Sequence, residues 1–544
     1  MKGADVIASI LKAEGVEYLF AYPVNPLIEA AAKVDIRPII VRQERIGLHM
    51  ADAMSRLTSG KQIGVFCMQS GPGSENAFGG VTQAYGDSSP ILVLPLGHER
   101  TLSQVQPNFN SSLNYRHVTK LSEQVTVAEA VPEIMRRAFT QVRNGRPRPA
   151  LVEVPGDIFD AEIDYAGDHR PVPVCRSSPD PRDVEVAAEV LLRAERPVIY
   201  AGQGIHYSEA WSQLRELAEL LVVPVTTSLG GKSAFPEDHP LSLGSGGRSM
   251  PKAVRAFLDD ADVIFGIGCS FSKTPFGVKM PESKTVIHAT NDSADINKDL
   301  EVTHALVGDA GLTLKALVSE ISKTESATPR RQIDDLSNQI NSVNKEWLRS
   351  WSPKLDSEEV PLSPYRVIRD LMHTVDLRNT IITHDAGSPR DQLSPFWEAT
   401  TPLSYIGWGK TTQLGYGLGL AMGAKLAKPD KLCVNVWGDA AIGFTGMDFE
   451  TAVRERIPIL SILFNNFSMA IELPIMPVST EKYRSTDISG HYADMAKSFG
   501  GYGERVERPE DIIPAIQRGI EKTQEGVPAL LEFITAQEIE FSLF

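Results

Sequence analysis

The sequence predicts an α/β protein of three open parallel-sheet domains, the first and third similar and flanking a middle α/β domain. Three observations carry this. Short apolar strands alternate with helical patterns almost throughout the 544 residues, as layered α/β units require. Two polar, Pro-rich stretches interrupt the alternation. The blocks on either side of the middle one echo each other in order. Length alone already demands more than one core.

The chain opens on "MKGADVIASILKAEGVEYLF", an amphipathic helix running into a strand. Charges punctuate it too often for a signal peptide. Next, "GVFCMQSGPGSENAFGGVTQAYGDSSPILVLPL" reads strand, tight turn, helix, then a strand from Pro90. "CVNVWGDAAIGFTGMDFETAVRERIPILSILFN" reads alike, its second strand starting at Pro458. Both blocks also close alike, on "PALVEV" and "PALLEF". Between them, "ERPVIYAGQGI" and "DADVIFGIGCSF" indicate a further open sheet. The stretches Ala166–Asp183 and about Thr324–Pro364 read as linkers, the second around a helix. The expected domains are therefore 1–165, 184–323 and 360–544.

Hydrophobic residues make up 42% and charged residues 23%, a globular mixture. The net charge of −15 disfavours nucleic-acid and anionic-membrane partners. Small anions still fit, because backbone N–H groups bind them. The four cysteines are Cys67, Cys175, Cys269 and Cys433, with no CxxC pair. That spacing opposes a metal cluster or disulfide framework and suits a reducing cytoplasm. No apolar run is long enough to span a bilayer.

The third block carries the first chemical signal. "KLCVNVW" reads as a buried strand, "DFETAVRERI" as a helix and "PILSILFNN" as a second strand. A strand–helix–strand crossover is right-handed, so both carboxyl ends lie on one sheet edge. Asp439 and Asn466, at those ends, should therefore come close. That edge is where open α/β sheets bind ligands. A carboxylate with an amide carbonyl suits a hard cation such as Mg²⁺ that shares its shell with phosphates. Ala440, Ala441 and Gly443 let backbone approach a ligand, and a helix beginning near Gly446 would offer N–H groups to a diphosphate. The plainer reading, that Asp439 and Asn465-Asn466 only make turns, stands beside it.

"GDA", a helix and strand, then "NN" resembles the binding motif of thiamine-diphosphate enzymes, with Ala440 where glycine is usual. The resemblance implies that Asp439, the Asn466 side chain and the Ser468 carbonyl hold Mg²⁺ against the cofactor diphosphate, with Gly438, Ala440 and Ala441 beside it. "GKTTQLGYGLGLAMGA" is similar to the segment that wedges the bent cofactor. It implies Leu414 under the bend and the Thr412 carbonyl accepting from the 4′-amino group. "THDAGSPRDQL" resembles a second diphosphate loop, at Gly387 and Ser388. The usual Gln-His there is Ser388-Pro389 here.

In the first block, "RPIIVRQERIGLHMADAMSRLTSGK" places Glu44 at a strand-to-helix junction. An acid there also stabilises a helix N-terminus. The stretch resembles the acetolactate synthase group of the same superfamily, with Gln43 where that group has His. "FAYP", ending in Pro23, and "SGPGSENA", with Gly71 and Asn76, continue the match as cofactor-binding segments. "KSAFPEDHPLSLG" extends it into the middle block. By this resemblance the first and third blocks are the pyrimidine- and diphosphate-binding domains. Glu44 would bond N1′ of the aminopyrimidine, so that the cofactor's own nitrogen takes the C2 proton. A raised pKa would suit that role. Each site would combine Glu44 of one subunit with Asp439 of another, in a homodimer or homotetramer.

The reaction is less specified. The resemblance implies a C–C lyase or carboligase acting on a 2-oxo acid or acyloin, acetolactate synthase-like, with a small carbonyl substrate. The alternative is a non-oxidative 2-oxo-acid decarboxylase, or an enzyme like 2-hydroxyacyl-CoA lyase or oxalyl-CoA decarboxylase, which "GFTGMDFET" also resembles. The Arg-Phe-Asp-Asp-Arg pattern of FAD-binding members is replaced by "GCSFSKTPFG", which argues against FAD. Their long C-terminal lid has only Gln537–Phe544 as counterpart. Glu472 falls where decarboxylases place a proton-transferring glutamate; a helix-surface acid is the plain alternative. His384, in "THD", could face the cofactor, though a structural role is the plainer reading; His49 reads as a packed histidine. "GYGLGLAM" lacks the third glycine of a nicotinamide-binding turn, and no GxSxG marks a hydrolase. A non-catalytic cofactor-binding regulatory subunit is the reading from another class, and an intact Glu44 argues against it.

Overall fold

The structure is a computed structural model that describes residues 1–103, 105–323 and 331–544. Among the described residues, eighteen strands form three six-stranded sheets, and every strand pairing within them is parallel.

The first sheet holds β1 (Tyr18–Ala21), β2 (Arg37–Ile40), β3 (Gly64–Met68), β4 (Ile91–Gly97), β5 (Leu121–Gln124) and β6 (Ala150–Pro155). Its spatial order is β2-β1-β3-β4-β6-β5. Helices cover such sheets on both faces, so the central strands read as continuous apolar runs. All five residues of β3 and all six of β6 are buried. The amphipathic helix Gly3–Ala13 runs into β1 as its charge pattern predicts and packs Ile7, Ile10 and Leu11 into this core.

The second sheet holds β7 (Pro197–Ala201), β8 (Val225–Ser228), β9 (Ser242–Gly246), β10 (Val263–Ile267), β11 (Thr285–Thr290) and β12 (His304–Val307). Its order is β12-β11-β10-β7-β8-β9, which is the 3-2-1-4-5-6 arrangement of doubly wound folds. The third sheet holds β13 (Thr380–His384), β14 (Tyr405–Ile406), β15 (Leu432–Gly438), β16 (Leu460–Asn465), β17 (Tyr502–Val506) and β18 (Ala529–Ile534). Its order, β14-β13-β15-β16-β18-β17, repeats that of the first sheet strand for strand. The echo between "PALVEV" and "PALLEF" is therefore structural: they are β6 and β18.

The chain separates into two compact units. One comprises Met1–Cys175 with Gly415–Asp430 and Thr445–Ile459; the other holds Arg176–Leu414, Lys431–Phe444 and Leu460–Phe544. Two pieces of the third block thus belong with the first sheet. The cause is close packing. Helix Tyr416–Ala427 lies on helix Glu44–Leu57, and a Cβ at Gly419 would stand 2.5 Å from His49 Cβ.

The stretch 166–180 has no regular structure, but it is anchored. His169 Nε2 lies 2.7 Å from Glu14 Oε1, and the Val172 N–H donates to the same oxygen at 3.0 Å. The second expected linker contains helix Ile333–Leu355; its residues 324–330 lie outside the described residues. A 3₁₀ helix begins at Gly446, where the sequence leads one to expect a helix start, but it is not the first helical turn after β15. A seven-residue helix starts at Asp439 itself and runs to Thr445, followed by a 3₁₀ turn and helix Phe449–Arg454. Alanine favours helix, so Ala440 and Ala441 join it rather than forming a loop.

Candidate functional site

In both similar sheets the strand order reverses between the first and third strands, and open α/β sheets bind ligands outside such points. In the third sheet the reversal lies between β13 and β15. Pairing of Gly438 with Phe464 puts the carboxyl ends of β15 and β16 side by side. Asp439 follows one end and Asn466 the other.

The Asp439 side chain is only 4% exposed. Its Oδ1 accepts the Ala440 N–H at 2.9 Å, and its Oδ2 accepts the N–H groups of Asn466 and Ser468, each at 3.1 Å. Asn466 Oδ1 accepts the Ser468 N–H at 3.0 Å. The two asparagines differ in use. Asn465 turns inward and donates to Glu532 Oε1 at 2.7 Å, which leaves Asn466 at the edge. No basic side chain pairs with Asp439 among the described residues. Burial pushes its carboxyl up to about 6, against the pull of the backbone N–H groups.

The loop after β13 reaches the same edge. Gly387 has φ 82°, which only glycine adopts without strain, and a Cβ there would meet no other atom within 4 Å. Ser388 opens helix Ser388–Leu393, and Pro389 lies 3.6 Å from the position of a Cβ on Gly438. His384, at the end of β13, is fully buried against Tyr405 and Trp408. Ala441 is buried and Gly443 exposed.

In the first sheet the reversal lies between β1 and β3. The Tyr22 N–H donates to Cys67 O at 3.0 Å, and Asn25 Nδ2 donates to Met68 O and Leu94 O. Asn25 thereby ties the end of β3 to the middle of β4, two residues after Pro23, which is exposed. Gly71, with φ 60°, turns the chain into helix Pro72–Gly86.

Glu44 is the first residue of its helix and is 3% exposed. Its carboxyl lies over that turn: a Cβ on Gly73 would be 3.4 Å from Glu44 Oε1, and Asn76 hydrogen-bonds it. Burial raises the Glu44 carboxyl, and the hydrogen bonds only partly offset this. Tyr115, fully buried and near enough to feel the Glu44 charge, donates to Ser74 O. Ser74 Oγ meets Ser111 Oγ at 2.7 Å, and Glu153 Oε2 accepts the Ser112 N–H at 2.8 Å.

The structure thus gathers two of the expected sets, Gly387, Ser388, Gly438, Asp439, Ala440, Asn466 and Ser468 at one edge, and Glu44 with Asn76 at another. Thr412 is exposed and Leu414 half-buried in the irregular stretch before helix Tyr416–Ala427. Glu472 is half-buried at the end of a 3₁₀ turn. Sequence reasoning missed Asn25, Tyr115, Glu153 and Asp448. None of the four carries a local sequence signal, because the partners lie far away along the chain.

No cluster of three His, Cys, Asp or Glu could hold a metal among the described residues. The edge at Asp439 offers one carboxylate with amide and backbone oxygens instead.

Comparisons with known proteins agree across the chain. Residues 1–124 match the family described as thiamine pyrophosphate enzyme, N-terminal TPP binding domain. Residues 184–317 match its central domain and 385–533 its C-terminal TPP binding domain. The chain is similar to a probable acetolactate synthase large subunit of Methanocaldococcus jannaschii, 31% identical over 98% of this chain and 92% of that one. It is 28% identical to the acetolactate synthase isozyme 3 large subunit of Escherichia coli K12, covering 96% and 93%. Glyoxylate carboligase of Escherichia coli O157:H7 is also 28% identical, over 100% and 94%.

Proposed function

This chain belongs to the thiamine pyrophosphate enzymes, in the acetolactate synthase-like group, and from that premise we propose that it is a Mg²⁺-dependent C–C lyase or carboligase acting on a 2-oxo acid or acyloin. Asp439 carries the reading. It is a buried carboxylate with no basic partner among the described residues, set at the strand edge among donors and oxygens. Buried charges are costly unless a cation or donors answer them. The oxygen-only set of Asp439, Asn466 Oδ1 and the Ser468 carbonyl answers to Mg²⁺ chemistry. Ser468 Oγ is buried without a hydrogen-bond partner, which leaves it free for a phosphate oxygen. A Cβ at Gly387 or Gly443 would touch nothing, so backbone N–H groups there can approach a diphosphate.

When bound, thiamine diphosphate supplies the electron sink for breaking and making the C–C bond. Glu44 would hold and return a proton at N1′ of the aminopyrimidine; burial raises its carboxyl, which favours the protonated form that this role uses. Asn76 orients that carboxyl. Pro23 and Gly71 would border it, the Thr412 carbonyl would accept from the cofactor's 4′-amino group, and Leu414 would pack against the cofactor. Gly387, Ser388, Gly438, Ala440 and Ala441 would line the diphosphate. Glu472 moves a proton at the substrate.

The domains are taken as 1–165, 184–323 and 360–544, and the working form as a homodimer or homotetramer with sites shared between subunits. Four dispersed free cysteines favour a cytoplasmic setting. No described helix is long and apolar enough to cross a membrane. FAD has no place in this reading.

The second reading, a non-oxidative decarboxylase or 2-hydroxyacyl-CoA lyase, rests on Glu472 and "GFTGMDFET". Substrate profiling with thiamine diphosphate and Mg²⁺ separates the two. Pyruvate, glyoxylate, longer 2-oxo acids, acyloins and a 2-hydroxyacyl-CoA would be compared. Carboligation products from a 2-oxo acid support the first reading. Turnover of the CoA ester alone supports the second, and no turnover of any overturns both.

A further inference from the structure

We infer that Asp448 is a positioning residue for Glu44: its carboxylate holds the backbone N–H of Arg42 and so fixes the turn that delivers the acid. The inference rests on the role proposed for Glu44.

Asp448 stands immediately before helix Phe449–Arg454, where an acid ordinarily accepts an N–H of that helix's first turn. Its side chain caps no N–H of that helix. Oδ1 instead accepts the Arg42 N–H at 2.8 Å, from a residue 406 positions away, together with the Thr451 hydroxyl at 2.9 Å. Asp448 is 1% exposed, and its Oδ2 is buried with no hydrogen-bond partner. The charged groups facing it are Arg42 and Glu450. A carboxylate kept there is costly unless the contact it makes matters.

Three other ties run between the same segments. Arg37 pairs with Glu455 at 2.9 Å, Arg454 Nη2 donates to Ile40 O at 2.5 Å, and Arg42 lies 3.6 Å from Glu450. Arg37, Arg42 and Arg454 have 54%, 48% and 40% of their side chains exposed, so those ties are screened and weak. The Asp448 bond is the one accepted by a buried carboxylate. It also lies nearest the acid: Arg42 and the extended Gln43 lead directly into Glu44, and the Gln43 side chain caps nothing. A small misplacement of a reacting group slows chemistry far more than it weakens binding.

The test uses the full-length protein loaded with thiamine diphosphate and Mg²⁺. C2 hydrogen–deuterium exchange of the cofactor is followed in Asp448→Ala, Asp448→Asn and Glu44→Gln. Cofactor affinity and backbone amide exchange across residues 40–47 are measured alongside. Asp448→Ala should slow C2 exchange at least about tenfold and deprotect the Arg42 amide, with cofactor affinity kept within about threefold. Asp448→Asn retains an accepting oxygen and should recover most of the rate. Wild-type exchange in Asp448→Ala, or equal loss in Asp448→Asn, overturns the inference. So does a loss that only follows cofactor affinity. Unchanged exchange in Glu44→Gln would instead remove the role of Glu44, and this inference with it. Loss in Glu44→Gln with none in Asp448→Ala removes this inference alone.

Discussion

The Asn466 N–H donates to Asp439 Oδ2 at 3.1 Å, across the carboxyl ends of two adjacent parallel strands. The same oxygen takes the Ser468 N–H, so one carboxylate organises the whole turn after β16. Asp439→Ala should therefore weaken Mg²⁺-dependent thiamine diphosphate uptake by more than about a hundredfold, beyond the loss usual for outer-shell partners. Calorimetric titration of the cofactor with and without Mg²⁺ checks this. Retained affinity would remove Asp439 from the metal site.

Glu44→Gln keeps the size of the side chain and removes its proton. Cofactor affinity should change little while C2 proton exchange falls about 10²–10⁴-fold, the range of general acid–base catalysis. Exchange followed by NMR after acid quenching reads it.

Sites shared between subunits make a distinct prediction. Glu44→Gln and Asp439→Ala proteins, each inactive, should regain activity when their subunits are mixed and reassembled. About a quarter of the sites would then be intact if dimers form at random. Mixtures that stay inactive, despite subunit exchange seen by mass spectrometry, would place each site within one chain.

Helix Tyr416–Ala427 depends on glycine at its contact with helix Glu44–Leu57. A Cβ on Gly423 would stand 2.5 Å from Met50 O and 2.8 Å from Met50 Cα. Those are backbone atoms and cannot yield locally. Gly423→Ala should cost about 1–3 kcal/mol of overpacking and lower the unfolding midpoint. An unchanged midpoint in a thermal scan would show that the helices separate freely.

Burial pushes the Asp448 carboxyl from its ordinary 3.8 up to about 6. Between those values the folded chain binds a proton that the unfolded chain does not. Protonation then favours the fold, and stability declines as pH climbs from about 4 to about 6. Above 6 the contribution is flat. Asp448→Asn should lack this slope, so the wild type loses up to about 3 kcal/mol relative to it over that window. Denaturation midpoints of both proteins across pH 4–7 test the sign; parallel curves would refute it.

The pairing of Asp439 with Asn466 was legible because one rule covers it. A right-handed crossover puts consecutive parallel strand ends on one edge, and "KLCVNVW" and "PILSILFNN" are unmistakably apolar strands. The helix start was less so. Ala440, Ala441 and Gly443 read in sequence only as small residues that let backbone approach a ligand, yet they lie in a helix of their own, Asp439–Thr445, ahead of the turn at Gly446. Nothing near Asp448 announces its bond to Arg42, because the partner lies 406 positions away and an acid before a helix looks like a cap.

The sequence by itself determined the α/β class, the kinship of the first and third sheets, and the acids Asp439 and Glu44. Period-2 and period-3.6 patterns and short-range turn chemistry are local, so a single chain displays them. The tertiary structure alone decided which acids are buried, that Asp439 has no basic partner among the described residues, and that two pieces of the third block pack with the first sheet. Burial and charge pairing depend on what the rest of the chain brings near a residue, and desolvation is what sets a buried carboxylate apart from an ordinary one.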